Sequence, residues 1–129
     1  MVSSSRFGLA GGVQPLAWAR IGLGVVAFLA PTLPSRPWVG GDADRPSAKT
    51  LARALGARDV ALGLGTLLAQ RHGSPVRGWL EASAVADAGD VVATLINWRS
   101  SPRFGRVGVL AAAAGGAAAC TLLARRQPA

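Results

Sequence analysis

Between Trp79 and Trp98 the chain is almost continuously apolar, and beyond Glu81 its polar residues, Ser83, Asp87, Asp90, Thr94 and Asn97, recur at spacings of 4, 3, 4 and 3. That period sets them in one stripe along a helix. The other faces carry Leu80, Ala82, Val85, Ala86, Val91, Val92, Leu95 and Ile96. Such a helix suits lipid on most sides and turns its polar stripe toward protein or a water-filled cavity. The two tryptophans stand nineteen residues apart, roughly 28 Å at about 1.5 Å per residue. This is close to the roughly 30 Å of bilayer hydrocarbon, with an amphipathic aromatic at each edge. Trp18 and Trp38 complete the set of expected interface aromatics.

Proline, glycine and small hydroxyls divide the rest of the sequence. A first helix is predicted from Pro15, suited to a first turn, through Ile21, Val25, Val26, Phe28 and Leu29 to about Pro31. It reads as an uncleaved membrane helix, since the apolar run offers no good small-x-small cleavage site. Residues 32–47, with Pro34, Pro37, Gly40, Gly41 and Pro46, read as a loop that dips Trp38 and Val39 into the interface. A second helix covers about 48–71, with Ser47 as N-cap and Gly73 just beyond its end. Ser74-Pro75 and Ser101-Pro102 open a third helix over 75–98 and a fourth over 102–125. The short connection between the second and third makes them an antiparallel hairpin. The expected fold is all-α: one transmembrane four-helix bundle over 15–126, with tails at 1–14 and 127–129.

Composition sharpens the membrane assignment. Half of the 129 residues are apolar and 16% are charged, and fourteen basic against six acidic residues give a net charge of +8. Most bases flank the apolar segments, where they meet lipid headgroups. Nucleic-acid binding would instead gather them on one soluble face with stacking aromatics. The lipid bilayer is therefore the expected partner, and nucleic acid is not. Abundant Ala, Gly and Arg point to a high-GC bacterial genome, hence a multi-pass protein of the bacterial plasma membrane. The second helix is a poor span alone. Arg58 and Asp59 cost about 5–7 kcal/mol, against about 2–4 kcal/mol returned by Val60 and the leucines. Against a soluble chain, Val107 to Ala124 holds no charge and the first helix holds only Arg20, so neither has a polar face. Orientation is weakly specified. Arg6, Arg71, Arg77, Arg125 and Arg126 fall on one side, and Arg36, Arg45, Lys49, Arg53, Arg99, Arg103 and Arg106 on the other.

Depth along the hairpin brings charges together. Arg58 lies thirteen residues before Arg71, and Asp90 thirteen after Arg77, so both sit roughly 20 Å from the connecting turn. Asp59 and Asp87 lie within a turn of that level. The second helix also carries a small-polar stripe of Asp59, Gly63, Thr66 and Gln70. A buried network of Arg58, Asp59, Asp87 and Asp90 is therefore expected. Three carboxylates facing one guanidinium leave uncompensated charge in a low dielectric, so one is expected to hold a proton. By the same arithmetic Arg20 and Glu81 are expected to pair near the interface. On the fourth helix Gly108, Ala112 and Gly116, with Ala111, Gly115 and Ala119 beside them, form small-xxx-small faces suited to tight packing or a homo-oligomer.

No other chemistry stands out. The single cysteine, Cys120, allows no intrachain disulfide and reads as a buried, inert thiol. The single histidine, His72, falls in a loop. There is no Walker-type loop, no two-histidine metal spacing, no Gly-x-Ser-x-Gly and no Cys-x-x-Cys. Neither a metal nor a cofactor is expected.

Leu55-Gly-Ala-Arg-Asp-Val-Ala-Leu-Gly-Leu-Gly65, followed on the next helix by Asp87-Ala-Gly-Asp90, resembles a family of small four-helix bacterial membrane proteins of unknown function. In these an Ala-Arg-Asp motif on the second helix precedes an Asp-x-x-Asp-like motif on the third. The resemblance covers roughly residues 15–125 and implies a four-helix integral membrane fold without implying an activity. The leading functional expectation is a non-enzymatic accessory or structural protein whose Arg/Asp network locks two helices together. One alternative is a small proton-coupled carrier of a small molecule. The other is an intramembrane enzyme acting on a lipid or isoprenoid, with Asp87 and Asp90 as acid and base.

Overall fold

The computed structural model describes residues 5–127, with side chains from residue 11 onward; over this range the chain is helical and has no strand. Five α-helices follow in order: α1 (Ser5–Leu29), α2 (Thr32–Val39), α3 (Pro46–Arg71), α4 (Arg77–Ile96) and α5 (Arg103–Arg125). A 3-10 turn, Gly40–Asp44, joins α2 to α3. Of the expected tails, residues 1–4 and 128–129 lie outside the described residues.

Two elements differ from the sequence reading. Pro15 lies inside α1 and does not open it. It forfeits one backbone bond, to Gly11, but the apolar run from Phe7 to Val13 carries the helix through. The segment expected as a loop folds into α2. Pro34 falls in its first turn, where a backbone N–H has no helical acceptor, so the proline costs nothing there. Gly40, at φ 64°, then ends the helix in a conformation that glycine adopts without strain. Pro46 opens α3 directly, with Arg45 and not Ser47 as the cap residue, while α4 begins after Val76 and stops at Ile96, leaving Trp98 in the following turn.

The closest pairings are α1 with α3 and α4 with α5. The α3–α4 hairpin exists in connectivity, but its two helices approach less closely. Glycine explains the difference. A Cβ at Gly24 would lie 2.5 Å from the Gly56 carbonyl oxygen, and one at Gly63 would lie 2.7 Å from that of Ala17. The α1 and α3 backbones therefore touch at two levels, seven residues apart on each helix. Interior positions keep this rhythm: Val13, Ala17, Arg20 and Gly24 on α1, Ala52, Gly56, Asp59, Gly63 and Thr66 on α3. On α4 they are Leu80, Ser83, Asp87, Asp90 and Thr94. Spacings of 3 and 4 describe helices crossing at a shallow angle.

Large apolar side chains are mostly outside. Leu23, Phe28, Leu29, Leu64, Leu68, Val85, Val92, Ile96, Phe104 and Leu122 are all exposed, whereas most buried positions hold Ala, Gly, Ser, Thr or Asp. The main apolar core is a small cluster of Val13, Ala69, Val76, Leu80 and Ala124, near the α3–α4 turn. Gly11–Leu29 and Arg103–Arg125 are long and apolar enough to cross a membrane, and only 22% and 17% of their apolar windows are buried. A core helix of a soluble protein hides far more of itself. α3 and α4 carry too many charges to pass the same test alone.

Candidate functional site

Four long helices converge on a line of charges between the α1–α3 pair and the α4–α5 pair. Arg20, from the α1 seam, donates from Nη1 to Asp59 Oδ1 at 3.0 Å and from Nη2 to Asp87 Oδ2. Arg58, on α3, grips Asp90 with both nitrogens, Nη1 to Oδ1 at 3.1 Å and Nη2 to Oδ2 at 2.8 Å. Its Nη2 also reaches Asp59 Oδ1 at 3.3 Å. The sequence along the line is Asp87, Arg20, Asp59, Arg58, Asp90, so carboxylates and guanidiniums alternate. Asp59 Oδ1 joins the two halves by accepting from both arginines.

Burial grades along the line. The side chains of Arg20 and Asp87 are each 10% exposed, while those of Arg58 and Asp90 are 30% and 22% exposed. The inner end is closed by α5. A Cβ at Gly116 would collide with the Asp87 carboxylate, and Cys120 beside it is fully buried. A cavity of about 10 Å³, bordered by Arg20, Gly63, Thr66, Ser83 and Cys120, adjoins this end. It has room for roughly one water molecule. At the other side Thr94 donates to the Asp90 carbonyl at 2.7 Å and accepts the Trp38 indole N–H at 3.2 Å. Trp38 thus fastens α2 to α4 and is half-buried.

The four residues expected to cluster, Arg58, Asp59, Asp87 and Asp90, are brought together. The expected pairing of Arg20 with Glu81 is not formed. Glu81 instead accepts from Arg77 Nε at 2.8 Å, one helical turn away on the exposed surface. Depth failed for Arg20: counted from Pro15 it lies five residues into a helix, near the interface, but α1 begins at Ser5 and Arg20 sits fifteen residues in, level with Asp59 and Asp87. Six residues separate Glu81 from Asp87, which is about 9 Å along the helix and about 120° around it. The missed signal lay in the small residues. Ala17-x-x-Arg20-x-x-x-Gly24 and Gly56-x-x-Asp59-x-x-x-Gly63 align in an antiparallel seam that sets Arg20 against Asp59.

Other expected residues separate. Asp87 and Asp90 face different guanidiniums and do not converge on a shared space. Trp79 lies over Gly65, and Trp98 stacks on Arg106 with the guanidinium carbon 4.4 Å from the ring centre. Trp18 is exposed thirteen residues into α1, so the N-terminal extension of that helix removes it from an edge. The Gly108, Ala112 and Gly116 face is split: Gly116 turns inward onto Asp87, while Gly108 and Ala112 remain exposed. Among the described residues no cluster of His, Cys, Asp and Glu is arranged to hold a metal ion. The chain matches no known family model, no curated protein and no solved structure.

Proposed function

We propose that this chain is a multi-pass protein of the bacterial plasma membrane, with α1, α3, α4 and α5 crossing the bilayer as a four-helix bundle. Its role is non-enzymatic: an accessory or structural protein whose interior charges hold its helices in register. The observation that carries this reading is the engagement of both interior arginines with carboxylates of other helices. A charge so partnered needs no substrate to account for it. The outward-facing Leu, Val, Ile and Phe support the bilayer assignment, because such a surface in water would demand a cover. The Ala57-Arg58-Asp59 and Asp87-Ala88-Gly89-Asp90 motifs supply four of the five network residues, in keeping with the resemblance to small bacterial membrane proteins.

The test has two parts. The protein is expected to stay in the membrane pellet after alkaline carbonate extraction. Replacing Arg20, Arg58, Asp59, Asp87 and Asp90 together by apolar residues is expected to leave a well-expressed, folded protein with no lost phenotype. A lost phenotype with an intact fold overturns the structural role.

One observation favours a second reading, a small proton-coupled carrier. Three carboxylates face two guanidiniums, so the line holds one negative charge more than its arginines balance, and a proton or cation would complete it. That reading predicts pH-dependent ligand uptake that disappears in Asp90→Asn while expression survives. Unchanged uptake in that variant removes it.

A further inference from the structure

We propose that the groove between α2 and the first turns of α5 is a site for an anionic phospholipid, an inference that rests on the membrane reading above. The groove has a volume of about 360 Å³ and is lined by Pro37, Pro102, Phe104, Gly105, Gly108 and Ala112, within the size of small-ligand sites. Gly105 makes its floor: a Cβ there would collide with the Pro37 backbone, so α2 rests directly on α5. Gly108 keeps it open, with nothing within 4 Å of the space a Cβ would fill. Phe104 stands at its edge 96% exposed.

Charge identifies the occupant. At this end of the helices Arg36 and Arg45 are neutralised by Asp44 and Asp42. Lys49, Arg53, Arg99, Arg103 and Arg106 form no salt bridge among the described residues. Arg106 is held in place by its stack on Trp98 and by its bond to the Trp98 carbonyl at 2.7 Å. Neither contact neutralises it. An apolar groove whose lining residues Pro102, Phe104, Gly105 and Gly108 alternate along the chain with Arg103 and Arg106, neither of them in a salt bridge, fits an acyl chain carrying a phosphate that lacks a compensating amine.

The test uses the full-length protein purified in detergent. Phosphatidylglycerol or phosphatidylcholine is added, and bound lipid is counted by native mass spectrometry. Phosphatidylglycerol is expected to be retained preferentially, with the preference falling about five-fold for each arginine removed in Arg99→Gln and Arg103→Gln. Gly108→Leu, whose Cβ meets nothing within 4 Å and whose side chain enters the groove, is expected to abolish retention with the melting temperature unchanged. Equal retention of the two lipids, or retention untouched by these variants, overturns the proposal. A Gly108→Leu protein that binds lipid normally but changes oligomeric state also overturns it, and makes the groove a contact between copies. A chain soluble without detergent removes the membrane reading itself, which carbonate extraction reads separately.

Discussion

Arg20 and Asp87, sixty-seven residues apart in the sequence, form the ion pair that ties the first long helix to the fourth α-helix. It is the most buried link of the network, and it joins the two closely packed helix pairs to each other.

Removing one partner of a buried pair leaves the other charge uncompensated. Arg20→Leu is therefore expected to destabilise the fold by about 3–5 kcal/mol, read as a drop in melting temperature in detergent. Arg20→Lys recovers only part, because one ammonium does not span Asp59 and Asp87 as the forked guanidinium does. Glu81→Gln, at an exposed pair, changes stability by less than about 1 kcal/mol. Equal effects at Arg20 and Glu81 would contradict the geometry.

The Arg58–Asp90 bridge is bidentate and more exposed. Each partner changed alone to the opposite charge should destabilise the protein, and Arg58→Asp combined with Asp90→Arg should recover part of the loss. A double-mutant cycle is expected to give a coupling of about 0.5–3 kcal/mol. A coupling near zero would mean that the two side chains do not meet.

Glycines of the α1–α3 seam differ sharply from those facing outward. Gly24→Val and Gly56→Val each drive a side chain into the opposite backbone and should cost at least about 1–3 kcal/mol. Gly115→Ala, on the exposed side of α5 with nothing within 4 Å, is expected to stay within about 0.5 kcal/mol of the parent. Unfolding midpoints of the three variants check the contrast.

Cys120 is fully buried against α5's neighbours. A thiol-directed maleimide should leave it unmodified in the folded protein and label it rapidly on unfolding. In Arg20→Ala the labelling rate should rise ahead of global unfolding, since the lost guanidinium borders the same small cavity. Rapid labelling of the parent protein would place the thiol elsewhere.

Much of this was legible in the sequence because one coordinate sufficed. Matching distances from the 72–76 turn were enough to bring Arg58 level with Asp90, and the 4, 3, 4, 3 stripe already aimed Asp87, Asp90 and Thr94 inward. Arg20 was harder. Its partner depends on which helix lies beside α1, and that is decided by backbone contact at Gly24, Gly56 and Gly63, which carry no hydropathy signal. α2 was hidden for a local reason. Pro34 and Pro37 read as breakers, yet one falls in a first turn that has no bond to lose.

The two helix pairs divide the network charges unequally. Arg20, Arg58 and Asp59 leave the N-terminal pair with one surplus positive charge inside, and Asp87 and Asp90 give the C-terminal pair two negative ones. Under the membrane reading proposed above, a first pair joined by its own Arg20–Asp59 bridge keeps one unbalanced positive charge until α4 packs against it. A chain cut at the 72–76 turn is left with halves of opposite interior charge, so co-expression of the two halves is expected to rebuild the same ion pairs.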